Sequence, residues 1–167
     1  VVRESMSEMP IYTAMPRKRL RMVLEALEDH LRGFDHPGTH TSEQRVPRGT
    51  CTIEHVMPQT IEQGKSSKDW KEMLGDDWKR SHEQWLHTLG NLTLTAYNPD
   101  LGNRRYSDKQ TIYSESHLEL NKYFKNLPKW SASEIRRRGE ALAAQVAKEW
   151  PRPPGNDYRP TPDLETE

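Results

Sequence analysis

The sequence is short of cysteine, of apolar residues and of net charge, and each shortage excludes something. Cys51 is the only cysteine in 167 residues, so an internal disulfide framework and any zinc site with two or more cysteines are excluded. Lys+Arg 25 balance Asp+Glu 25, which rules out a uniformly basic nucleic-acid coat or an acidic tail as global descriptions and leaves only local patches. Apolar residues make up 32% and the mean hydropathy is −1.03, so the core is small and part of the chain is expected to be solvated. No run approaches the ~20 apolar residues of a membrane span, and the opening VVRESMSEMP lacks a signal peptide's apolar stretch. A soluble, intracellular protein with no membrane partner is the expectation. There is no P-loop or other nucleotide-binding pattern. The length suits one domain with an appendage, and the absence of an initiator Met suggests a fragment of a longer protein.

What is present reads as helices around two short strands. After Pro16, the spacing of Leu20, Val23, Leu24, Leu27 and Leu31 predicts an amphipathic helix that ends before Gly33. Residues 33–50 carry Gly, Pro, Ser and Thr and read as a loop. TCTIEHVMP, rich in β-branched residues and closed by Pro58, predicts a strand ending in a turn. Ser67 is the expected cap of a helix through Trp70, Met73 and Leu74, and a second helix is expected to carry Trp78, Trp85 and Leu86. LGNLTLTAY reads as a second strand, with Leu92, Leu94 and Ala96 alternating against Thr93, Thr95 and Tyr97. A turn-rich loop (98–103) then leads to a helix with Lys109, Ile112 and Tyr113, and to another with Leu118, Leu120, Tyr123 and Phe124. Ser131 and Glu134 form a capping-box pattern opening a helix with Ile135, Leu142 and Val146 inward, stopped by Pro151. The proline-rich remainder, 152–167, is expected to be a disordered tail.

The most informative segment is Ile53-Glu54-His55-Val56-Met57-Pro58-Gln59. A carboxylate beside a histidine suits metal-assisted phosphodiester hydrolysis, because the carboxylate anchors a hard cation while neutral imidazole deprotonates water. Adjacent residues of a regular strand face opposite ways, so both reach one ion only if the strand ends or bulges there.

With Thr60 added, and followed by His87-Thr-Leu-Gly90-Asn91-Leu-Thr-Leu-Thr95, Asn98, Asn103, Lys109, Trp130, Ile135, Arg138, Leu142 and Trp150, that segment resembles a known family. It is the C-terminal HNH-type nuclease domain of GmrSD-like, DNA-modification-dependent restriction enzymes, found also in SspE-like phosphorothioate-sensing defence proteins. The resemblance implies an α+β, mostly helical fold with a ββα-metal (HNH, His-Me finger) core and flanking helices. It implies an N-terminal helix and loop over 1–49, the nuclease domain over 50–151 and the tail over 152–167. His55 matches the general base, Glu54 the first metal ligand, and Asn91 the central Asn that braces the histidine loop. Asn98 is the preferred second ligand, with a catalytic part, and Asn103 the alternative. One divalent ion, Mg²⁺ or Mn²⁺, is implied. DNA is the implied substrate, and by their position beside the proposed site Arg104, Arg105, Lys109 and His87 are the expected contacts.

The expected reaction has His55 take a proton from water that attacks phosphorus in line, so activity should rise with pH through about 6.5 if that histidine is unperturbed. The resemblance further implies a bacterial, cytoplasmic anti-phage restriction effector that nicks or cleaves DNA under an N-terminal, nucleotide-hydrolysing and modification-sensing domain. The alternative is a silent nuclease-like module that binds DNA or docks within its parent. A zinc site from His36, His40, Cys51 and His55 is disfavoured. In a strand, Cys51 and His55 stand roughly 13 Å apart, at about 3.3 Å per residue. Cys51 is expected to be a small buried residue, His82 and His117 to be surface residues, His87 equally to end a helix with local bonds, and the five tryptophans to anchor the core.

Overall fold

A computed structural model describes residues 6–33, 49–96 and 101–151. Helix α1 (Ile11–Ala14) leads into α2 (Arg17–Leu31), which starts after Pro16 and ends at Arg32, with Gly33 at φ 79° supplying the left-handed residue. Leu20, Val23, Leu24 and Leu27 are buried as their spacing predicts. Leu31 is not: as the last residue of the helix it borders a shallow apolar pocket between α2 and the last helix, and is 47% exposed. Its neighbour Glu28 is fully buried and accepts hydrogen bonds from the backbone N–H of Glu119 and Leu120, each at 2.9 Å. It thereby caps a helix some ninety residues away that has no side-chain cap of its own.

Strand β1 (Thr52–His55) pairs antiparallel with β2 (Leu92–Thr95), placing Glu54 opposite Thr93 and His55 opposite Leu92. Every residue of β2 is buried, where alternation predicted one exposed face, and Ala96, expected inward, is exposed. Helix α2 and the short helix α6 (Glu119–Lys122) both pack against this strand. Thr93 is satisfied there by donating to Asn121 Oδ1 at 2.6 Å, while Asn121 Nδ2 donates to the Leu94 carbonyl at 3.1 Å.

Between the strands lie α3 (Ser67–Leu74) and α4 (Trp78–Trp85). Ser66, not Ser67, holds the cap position of α3. Ser67 instead donates back to the carbonyls of Ile61 and Glu62, tying the preceding loop to the helix. After β2 come α5 (Tyr106–Glu115), then α6, which is shorter than the apolar spacing predicted because the chain continues past Lys122 in turn bonds. Helix α7 (Ala132–Glu149) begins on Ser131, whose hydroxyl accepts from Glu134 N, and runs to Trp150 just before Pro151.

α7 buries Ile135, Leu142 and Val146, and its most extensive packing is on the 3-10 turn Leu89–Asn91 that opens β2. Gly90 permits this approach: a Cβ there would lie 2.0 Å from the Ile135 carbonyl oxygen. Arg138, fully buried, donates to the carbonyls of Gly90 and Leu92 at 2.8 and 2.7 Å and sits over the Phe124 ring. Trp70, Trp85 and Trp130 are core residues, Trp78 is half-buried, and Trp150 is exposed where α7 runs out. The fold is thus mostly helical with one small two-stranded sheet, in the α+β class. Among the described residues, no helix is long and apolar enough to cross a membrane.

Candidate functional site

β1 stays regular to its last residue, so Glu54 and His55 face opposite ways. Glu54 turns to α5, where Lys109 Nζ donates to its Oε1 at 2.7 Å and to the His55 carbonyl at 2.8 Å. Lys109 has no exposed surface and Glu54 is 5% exposed. Burial pushes the Glu54 carboxyl up and the Lys109 ammonium down, and each charge opposes the shift of the other. Lys109, expected to meet DNA, therefore lies in the interior and offers no phosphate contact.

His55 turns to a second group of residues. Its Nε2 is 3.2 Å from His87 Nδ1. The Tyr12 ring meets His55 edge-on at 4.2 Å and stacks on His87 at 5.4 Å, and Tyr12 N donates to the His87 carbonyl at 3.1 Å. The Arg17 guanidinium covers the same ring from 3.1 Å and bonds the Tyr12 carbonyl. His55 is only 4% exposed. Burial first, then the neighbouring His87, Lys109, Arg17 and His82, push its pKa down to about 3, and His87 is lowered by burial, Arg17 and His82. At neutral pH His55 is therefore uncharged.

The turn after His55 is held by Asn91, which has no exposed surface. Its Oδ1 accepts from Met57 N at 2.7 Å and from Trp130 Nε1 at 3.0 Å, and its Nδ2 donates to the carbonyls of Met57 at 3.1 Å and Leu86 at 2.9 Å. The amide thus ties β1's exit to the entry of β2 and to the segment before α7, with its oxygen and its nitrogen each bonded twice within the protein. His82, expected on the surface, donates from Nε2 to the Pro58 carbonyl at 2.8 Å and pins the same turn from α4. His117 is exposed as expected, and Cys51 is buried with its thiol pushed up by burial.

Asn103, Arg104 and Arg105 lie on an exposed groove together with Lys65 and Asp108. Trp70 Nε1 and Ser66 Oγ anchor the groove's backbone at the carbonyls of Arg104 and Asn103, and Arg105 is paired with Asp69 at 3.1 Å. Asn98, His36, His40 and the tail 152–167 lie outside the described residues.

The donors expected for Mg²⁺ do not fit it at Glu54. A divalent cation there would meet an ammonium already in contact with the carboxylate, and no group of three or more His, Cys, Asp or Glu among the described residues is arranged to hold a metal. Tyr12, Arg17 and the Glu54–Lys109 pairing carry no signal in the sequence, because each joins residues dozens of positions apart.

A family model for the C-terminal domain of GmrSD restriction endonucleases matches residues 1–145. No curated protein and no solved structure matches the chain.

Proposed function

Because the chain belongs to the family of GmrSD restriction endonuclease C-terminal domains, a restriction-related family, we propose that it is the DNA-cleaving part of such an enzyme, with His55 as the proton acceptor for hydrolysis. We read β1, β2 and α5 as its ββα core. The observation that carries the reading is a histidine kept uncharged at a strand end, on a turn that Asn91 braces from four directions. The lowered pKa leaves the ring unprotonated at pH 7, though a weak base on its own, and the braced turn fixes where it meets water. Glu54 and Lys109 hold the strand from its other side. Dependence on Mg²⁺ or Mn²⁺ is proposed on the family resemblance alone and without Glu54 as a ligand. DNA is proposed to lie along the groove of Arg104, Arg105 and Lys65, held through phosphates and without base reading. Control by an N-terminal, nucleotide-hydrolysing sensor of modified DNA, in the cytoplasm of a phage-exposed bacterium, completes the proposal.

One observation favours a second reading, a silent binding or docking module: Tyr12 covers His55, and the neighbouring carboxylate is already paired. Supercoiled plasmid separates the two. With Mg²⁺ or Mn²⁺, open circles should form, and His55→Ala should reduce their formation by at least about 100-fold while keeping the circular dichroism of the unaltered chain. Equal nicking by His55→Ala overturns the assignment of the base, and binding of DNA without cleavage by the full-length parent supports the silent module. Arms with EDTA test the metal.

A further inference from the structure

We propose that His55 and His87 work as one proton-carrying pair, in which His87 releases a proton to solvent for each one that His55 takes from water. The inference rests on the hydrolytic reading above and adds a second residue to it. Two imidazole nitrogens 3.2 Å apart form a hydrogen bond only when one carries a hydrogen and the other does not. His55 is almost wholly enclosed, whereas His87 is half-buried. Positive charge left on the inner ring costs desolvation, and the same charge on the outer ring is nearer to water. The low pKa of His55 expresses that cost: alone, the ring accepts a proton poorly and needs an outlet. Tyr12 fixes the geometry of both rings, edge-on to one and stacked on the other. The other charged or titratable groups acting on the pair are Arg17, Lys109 and His82.

In the resting pair, His55 carries its hydrogen on Nε2 and donates it to Nδ1 of a His87 protonated on its own Nε2. When the other nitrogen of His55 removes a proton from water, the Nε2 proton crosses to His87 Nδ1, and His87 releases its Nε2 proton to solvent. The hydroxide forms a bond to phosphorus, and the P–O3′ bond breaks with its electron pair on the 3′ oxygen, which takes a proton from solvent. One water is added across the phosphodiester bond, and the tautomers reset by exchange with water. His87 acts through His55 and is a positioning residue.

Two measurements test this. Imidazole nitrogen resonances of the full chain, labelled with ¹⁵N-histidine and free of DNA, should show His55 protonated on Nε2 and His87 unprotonated on Nδ1. Protonation of His87 on Nδ1 instead overturns the direction of transfer. In plasmid nicking, His87→Phe, which keeps a ring on Tyr12, and His87→Asn, which keeps a bonding group in place, should each lose about 100-fold in rate. Added imidazole should recover about tenfold in His87→Ala. Nicking by His87→Asn within about twofold of the unaltered chain overturns the relay. If neither the unaltered chain nor its full-length parent nicks, the hydrolytic reading fails, and the nitrogen resonances still decide the pair.

Discussion

A buried histidine with a pKa near 3 makes the folded chain acid-sensitive, because the unfolded chain binds a proton that the folded one excludes. The folded value is depressed below the unfolded 6.5, so stability is complete above about pH 7 and falls as pH drops toward 3. From His55 alone, urea unfolding should show about 2 kcal/mol less stability at pH 5 than at pH 7.5, and His55→Phe should flatten that difference. For the same reason the rise in activity through pH 6.5, expected of an unperturbed ring, gives way to a flat nicking rate between pH 6 and 8. Lys109→Met makes the converse case. It strands the Glu54 carboxylate in the interior, which should cost about 3–5 kcal/mol at pH 7. Glu54 then holds its proton in the folded chain to a higher pH than in the unfolded chain, so this variant should lose stability as pH rises from 5 to 8. Glu54→Gln with Lys109→Met should recover most of the loss. A double variant no more stable than Lys109→Met alone would mean that the pair is not what the substitution breaks.

At the scale of elements, the contact between α7 and the turn before β2 sets the position of Asn91, and Gly90 permits it. Gly90→Ala has to push its methyl into the Ile135 carbonyl, 2.0 Å away, with the Gly139 amide 2.9 Å away. Both are backbone atoms that no rotamer change can move. Thermal or urea unfolding should show a loss of about 3 kcal/mol or more, with nicking reduced as the Asn91 brace shifts. The boundaries of α2 and α7 were legible because Pro16, Gly33, Ser131 and Pro151 act within a few residues of themselves. The burial of Thr93, the capping of α6 by Glu28 and the exposure of Leu31 were not, since each depends on which element lies alongside.

Over the whole molecule, zero net charge means that the proposed binding of DNA along the groove of Lys65, Arg104 and Arg105 should be weak and salt-sensitive. If Arg104, Arg105 and Lys65 meet phosphates, the slope of log K against log salt should be about −2 to −3, and Arg104→Ala should reduce it by about 1. Arg105→Ala should matter less, because Asp69 already neutralises that guanidinium. A slope unchanged in Arg104→Ala would place the DNA elsewhere.

The sequence by itself determined most of the elements and the family resemblance, with His55 and Asn91 among the residues that carry it, because periodicity, caps and short motifs are written in neighbouring positions. Only the tertiary structure decided what surrounds them. It gave Glu54 to Lys109, closed Tyr12 and Arg17 over the histidines, and set His87 against His55. Those contacts join distant parts of the chain, and burial, which shifts Glu54, His55, His87 and Lys109, exists only once the chain has folded.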